Sequence, residues 1–240
     1  ARELVLLIAG DAKLADEVRT DFQQRFWSTE KGRFFGWIDL EGRSYDYGFT
    51  FVNLDAIHHG IASPEQARSI FDWLDGKREI ADDTSRGADI YHWRFAPRAT
   101  TRRNIETYVW PWSAPDKIPW GDQVQDGGAV LGFSYFDLMA RLKTNGPDDA
   151  WKRLREILAW FREVQTEGGY RAYYGTTHWV TGVYANKDGS RWYQAYDSHL
   201  QLTFYVAAEE MRIVPDGELT LLSPDVPDAL KSIHVDLRTQ

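Results

Sequence analysis

Apolar residues recur at helical spacing along residues 1–175 and at strand spacing along residues 176–240. Leu14, Val18, Phe22 and Phe26 share one face of a helix over Ala12–Phe26. A mixed apolar and polar stretch predicts a second helix over 50–61. Ser63-Pro64-Glu65-Gln66 is a helix start, with Ser as N-cap, Pro at the first helical position and Gln placed to complete a capping box. The helix it opens, Pro64–Leu74, presents Ala67, Ile70, Phe71 and Leu74, and Gly76 is placed to end it. Residues 129–143 are apolar on most faces in their first half, which puts that helix in the interior. Over 149–165, Trp151, Leu154, Ile157, Leu158, Phe161 and Val164 form one stripe, closed by Gly168-Gly169.

Between Gly76 and Gly128 the periodicity lapses across about 50 residues that carry seven aromatics. A connection that long inside a domain signals a functional loop or a missed element. After Gly175 the runs 179–184 and 191–196 flank Asn186-Lys187-Asp188-Gly189, a hairpin signal. Short strands over 202–206, 211–214, 219–222 and 233–237 follow, with Pro215, Pro224 and Pro227 read as falling between them. The expected architecture is mainly α with a C-terminal antiparallel β region: a helical domain over 1–175 and a β region over 176–240. No sequence repeat of the solenoid kind occurs.

Composition narrows the classes. With 43% hydrophobic and 27% charged residues the chain is neither disordered nor membrane-like, and no apolar run approaches the ~20 residues that span a bilayer. Residues 4–9 are apolar but too short, and lack the flanks of a signal peptide. The start at Ala1 rather than Met is read as the trace of a removed leader or preceding domain. A net charge of -8 argues against a nucleic-acid partner, since phosphate binding needs a basic stripe and only Arg94, Arg98, Arg102 and Arg103 cluster. The absence of Cys excludes disulfides, thiolate zinc sites and a thiol nucleophile, and fits either a cytoplasmic or an exported protein. His58-His59 are adjacent on a helix and face different directions, so they make a poor metal clamp. No metal or cofactor is expected.

The aromatic surplus, 15% with 11 Trp, points to ring-lined binding surfaces or a ring-packed core. Two segments place acids among aromatics directly before an apolar helix: Gly36 to Phe49, and Trp120 to Gly128. Rings stack on the C–H faces of sugars, and two carboxyl groups share acid and base roles in glycoside cleavage. Asp46, between two tyrosines, and Asp126, before Gly127-Gly128, are the candidate catalytic pair. Each also has a bland role open to it, as a helix cap or turn residue. Asp39 and Asp122 are reserves, and Glu41 and Glu106 are possible partners. Tyr47, Tyr91, His92, Trp93, Arg98, Trp110, Trp112, Trp120 and Gln125 are the candidate substrate contacts, the ligand expected being an oligosaccharide or glycoside. The alternative for the rings is a minor core beneath the long loop. For Arg94 and Arg98 it is pairing with acids such as Asp89.

Three stretches resemble segments of the six-hairpin (α/α)6 glycosidases: Asp46-Tyr47-Gly48-Phe49-Thr50-Phe51-Val52-Asn53-Leu54-Asp55-Ala56-Ile57, Asp89-Ile90-Tyr91-His92-Trp93-Arg94-Phe95-Ala96-Pro97-Arg98, and Gln123-Val124-Gln125-Asp126-Gly127-Gly128-Ala129 running on through Phe133 to Met139. The resemblance covers roughly residues 14–174. It implies a toroid of paired helices whose loops form a carbohydrate cleft at one end, inverting hydrolysis by two carboxyl groups, and a β domain beside the barrel. With five or six helices against the twelve of a full toroid, the chain looks like the later part of such an enzyme or a shortened relative. A non-catalytic carbohydrate-binding or scaffold module derived from one is the alternative.

A second resemblance involves His178-Trp179-Val180 and Tyr196-Asp197-Ser198, similar to the His and Asp strands of papain-like thiol hydrolases. It implies a Cys-less relative using His178 and Asp197. The nucleophile is missing, Gly128-Ala129-Val130-Leu131 standing where one might be supplied, and nothing in the sequence activates Ser134 in its place.

Overall fold

The computed structural model describes residues 11–104, 120–121 and 124–168, together with the backbone of 213–215 and 219–221. The described chain is mainly helical, with small two-stranded antiparallel sheets. Helix α1 (Ala12–Phe26) starts where Asp11 accepts the Leu14 N–H, and it leads into a short hairpin of β1 (Trp27–Ser28) and β2 (Arg33–Phe34). A second hairpin, β3 (Trp37–Ile38) with β4 (Ser44–Tyr45), follows at once. Neither hairpin has a strand long enough for alternation to declare itself in sequence.

Helix α2 (Thr50–His58) is shorter than the predicted 50–61, because the chain turns back and the Ile61 and Ala62 N–H groups both donate to Ala56 O. Helix α3 (Pro64–Leu74) matches its prediction at both ends, with the full Ser63/Gln66 capping box in place. The long connection after it contains one 3-10 turn, Gly87–Tyr91, and otherwise irregular backbone among its described residues. Helix α4 (Phe133–Asn145) begins later than expected. Gly128 O is held by the Ala99 N–H, and the chain then makes a tight turn in which Ser134 Oγ donates to Leu131 O, so a helix cannot start at 129. Helix α5 (Pro147–Thr166) starts at its proline, with Asp148 and Asp149 in the first turn where the helix dipole favours acids.

Two apolar clusters organise the packing. One gathers Leu54 and Ile57 of α2, Ile70, Phe71, Trp73 and Leu74 of α3, Phe34 of β2, Ile90 and Ala140. The other joins Leu138 and Met139 of α4 to Leu154, Ile157, Trp160 and Val164 of α5, with Phe95 inserted from the long connection. Helix α4 packs against both α2 and α5, so it links the clusters. Of the α5 stripe read from sequence, Leu154, Ile157 and Val164 are buried and Trp151, Leu158 and Phe161 only partly so, while Trp160, which the stripe left out, is buried.

In the C-terminal part, β5 (Ile213–Pro215) pairs antiparallel with β6 (Leu219–Leu221), and Pro215 lies within β5 rather than after it. The other predicted strands and the proposed boundary at 175 lie outside the described residues. No helix among the described residues is long and apolar enough to cross a membrane.

Candidate functional site

The two aromatic-carboxylate segments are tied to one stretch of irregular chain, residues 99–104. On one side the Thr50 N–H donates to Ala99 O, the Thr101 and Arg102 N–H groups donate to Tyr47 O, and Phe49 bridges Thr100. On the other side the Ala99 N–H donates to Gly128 O, the Gly127 N–H to Thr100 Oγ1 (3.0 Å), and Thr100 Oγ1 to Gln125 O (3.2 Å). Segments separated by some 80 positions in sequence thus share one scaffold.

Asp46 is enclosed by cations. Arg33 donates to it through Nε (3.1 Å) and Nη2 (3.1 Å), Lys31 Nζ lies 3.3 Å from Oδ2, and the Gly48 N–H donates to Oδ1 (2.9 Å). Burial alone would raise its pKa, but Arg33, the Gly48 amide and Lys31 outweigh that and hold the carboxyl below the usual value. Asp46 does not cap α2, whose N-cap is Phe49. Arg33 itself is fully buried, closes on Asp83 through both terminal nitrogens, and lies 4.5 Å over the Trp73 ring.

Asp126 has the opposite environment. Its side chain is 0% exposed; Oδ1 accepts the Asn104 N–H (2.7 Å), and Arg103 Nη2 stands 3.5 Å from Oδ2. Among the described residues Oδ2 makes no hydrogen bond. Burial dominates, and the Asn104 amide and Arg103 do not offset it, so the carboxyl is pushed above the usual range. Asp126 likewise caps no helix: α4 begins at Phe133, with Gly132 as N-cap.

The predicted contact residues separate by surroundings. Tyr47 is 4% exposed and packs edge-on to Phe49. The Tyr91 hydroxyl donates to Asp137 (2.9 Å) and accepts from Arg141 (2.8 Å), and burial raises its pKa. His92 is largely exposed, T-shaped to Trp93, and 3.5 Å from Asp89. Arg98 is spent on the chain: Nε and Nη2 donate to Asp89, Nη1 donates to Gly127 O (2.6 Å), and its guanidinium lies over Trp93 and Trp120. The Trp93 indole N–H reaches the same Gly127 oxygen (3.2 Å). Trp120 covers Gly127 so closely that a Cβ there would meet ring carbons at 2.5 Å, and its own buried indole N–H has no partner among the described residues. Gln125 is exposed, and its backbone oxygen accepts from Thr100 and Asn104. Trp110, Trp112, Asp122, Glu106, His178 and Asp197 lie outside the described residues. Asp39 shapes the β3–β4 turn, accepting from the Glu41 and Arg43 N–H groups and from Tyr45 Oη.

Sequence reasoning passed over Arg33, Asp83, Thr101 and Asn104, and saw Arg103 only as part of a basic cluster. No local signal marks them, because each matters through a partner at least 18 positions away. It also passed over Trp37, which is half-buried, stacks on Tyr45 at 5.1 Å and leans on Tyr47 and Phe49. Among the described residues no group of three or more acids or histidines is placed to hold a metal. Comparison with protein-family models, with curated proteins and with solved structures finds no match.

Proposed function

We propose that the loops formed by residues 36–49, 93–104 and 120–128 bind a carbohydrate and that the protein hydrolyses a glycosidic bond there. Asp126 serves as the general acid and Asp46 as the ionised partner of an inverting pair. The observation that carries this reading is the opposed displacement of the two carboxyl pKa values, Asp126 upward by burial and Asp46 downward by Arg33 and Lys31. Environments that push two carboxyl groups apart in this way suit one to hold a proton and the other to stay charged. An inverting pair also needs its carboxyl groups about 6.5–9.5 Å apart, with a water between them. The half-buried Trp120, packed against Gly127, and the exposed His92 supply the ring and polar contacts.

We propose also that the helices form a shortened toroid of hairpins. Helices α2 and α3, and α4 and α5, are sequential, in contact and joined by short connections, which suits hairpins of a shortened toroid. A panel of aryl glycosides and a glycan array test the function. Turnover that survives unchanged in both Asp46→Asn and Asp126→Asn would remove the catalytic assignment.

One observation favours a second reading, a binding module without turnover. Both Asp46 oxygens are already occupied by Arg33, Lys31 and Gly48, which leaves little freedom to activate a water. Glycans would then quench Trp fluorescence while no aryl glycoside is cleaved.

A further inference from the structure

Arg94 is the non-glycine residue with positive φ among the described residues, at 66°. The Phe95 N–H donates to Trp93 O (2.8 Å) across it, so Trp93-Arg94-Phe95 closes a γ-turn of the strained hand. Strain of this kind persists only where the surroundings over-determine it, and it concentrates at working sites. Here both halves of the turn are anchored to one face of α5. Arg94 Nη1 meets Glu163 Oε2 at 2.6 Å, and the Phe95 ring packs 4.6 Å from Trp160, three positions earlier in the same helix.

The other output of the turn is the direction of Trp93. Its indole N–H and the Arg98 guanidinium converge on Gly127 O, at 3.2 and 2.6 Å. The peptide groups around that oxygen are fixed as well: the Gly121 N–H donates to Asp126 O (2.9 Å), the Gly127 N–H to Thr100 Oγ1 (3.0 Å), and the Ala99 N–H to Gly128 O (2.7 Å). Within this clamped stretch the Asp126 side chain is held at Oδ1 by the Asn104 amide, while Arg103 stands 3.5 Å from Oδ2.

We infer that the Arg94 γ-turn, through Trp93 and together with Arg98, is a positioning device that fixes the Gly127 carbonyl and thereby the Asp126 carboxyl. Trp93 and Arg98 then act on the main chain of the site and are not its ligand contacts. The inference rests on the reading of Asp126 as proton donor for its catalytic consequence. Its test needs no substrate, so it fails or stands apart from that reading.

The test is carboxyl 13C NMR titration of the whole chain, with Asp126→Asn used to assign the Asp126 signal. In Trp93→Phe, which keeps the ring and loses the N–H, the Asp126 midpoint is expected to fall by roughly half a pH unit or more as water reaches the loosened peptide. Glu163→Gln, at a half-buried and adaptable position, should move it in the same direction and guards against a misfolded Trp93 variant. The Asp137 signal should not move in either. An Asp126 midpoint equal to that of the wild type in both variants overturns the proposal. So does a shift shared by Asp126 and Asp137, which would report general loosening.

Discussion

Arg33 and Asp83 meet in a buried two-bond fork, Nη1 to Oδ2 at 2.6 Å and Nη2 to Oδ1 at 2.8 Å. The Trp73 indole N–H and the Thr101 hydroxyl donate to the same Asp83 oxygen, so α3, β2 and the 99–104 segment close on one carboxylate. Burial opposes the Arg33 charge, and the Asp83 and Asp46 carboxylates reverse that and raise its pKa. Removing Asp83 leaves the buried Arg33 with Asp46 as its remaining carboxylate and takes the acceptor from Trp73 and Thr101. Asp83→Ala is therefore expected to lose about 3–5 kcal/mol, measured by urea unfolding. A loss below ~1 kcal/mol would mean that water replaces the carboxylate freely.

A second buried hub lies where α4 and α5 meet the 3-10 turn. Asp137 accepts from Arg141 Nε (3.0 Å), Arg153 Nε (2.8 Å) and Tyr91 Oη (2.9 Å), while Arg141 also reaches Asp75 and Asp149. Burial would raise the Asp137 pKa, but Arg141 and Arg153 overcome it and hold it below the usual value. A lowered carboxyl pKa gives stability that is present at neutral pH and lost as pH falls below the unfolded value of 3.8. Asp137→Asn should remove that acid dependence and lose several kcal/mol at pH 7, of the order seen for broken buried pairs, about 3–5 kcal/mol. Thermal melts of both proteins between pH 2.5 and 7, ~0.5 unit apart, check both statements.

Asp126 predicts the reverse slope. Its raised pKa means that the folded state binds the proton more tightly than the unfolded chain does. Stability therefore falls as pH rises from the unfolded value of 3.8 through the folded one, and the penalty is complete above it. Asp126→Asn should melt higher than the wild type at pH 7, and the gap should close below about pH 4. A mutant that is less stable at pH 7 would show that the Asn104 and Arg103 contacts outweigh burial.

His58 provides an acid-sensitive contact between α2 and α4. Its Nε2 lies 3.2 Å from Tyr135 Oη, and burial, with His59 and Lys143 nearby, lowers its pKa to about 4. The neutral ring is favoured on folding, so stability is intact above the unfolded value of 6.5 and declines as pH falls toward 4. The group is only half-buried, and solvent screening limits the expected drop to a few degrees in Tm, about 2–4 °C across this window. His58→Gln should flatten the Tm profile over the same range.

Gly76 ends α3 at φ 73°, and a Cβ there would meet Gly87 Cα at 2.5 Å. Gly76→Ala suffers both the backbone strain and the clash with main chain that cannot swing away. A loss of about 1–3 kcal/mol is expected by chemical denaturation.

The Pro64–Leu74 helix was legible to the residue because its capping box, its N1 proline and its terminal glycine act within a few positions of one another. The start of α4 was not, because what delays it is the Ala99 N–H on Gly128 O, a bond between segments that sequence does not connect. The candidate acids divide in the same way. Asp46 and Asp126 stood out by their aromatic and glycine neighbours, and both capping roles considered for them are absent. Their opposed pKa directions come from Arg33, the Gly48 amide and Lys31 on one side, and on the other from burial that the Asn104 amide and Arg103 do not offset. Arg98 has Asp89, the partner that its neighbourhood suggested. Its bond to Gly127 O spans 29 positions and could not be read from spacing.

The sequence by itself determined that the helices form and much of what they bury, since helical periodicity, caps and breakers are local along the chain. It also set the chemical inventory: many rings, many acids, no thiol. Tertiary structure alone decided which acid is charged and which is raised, and which rings and arginines hold the chain in place. Desolvation and pairing depend on groups brought together by folding: Arg33 and Lys31 at Asp46, and the Asn104 amide and Arg103 at Asp126.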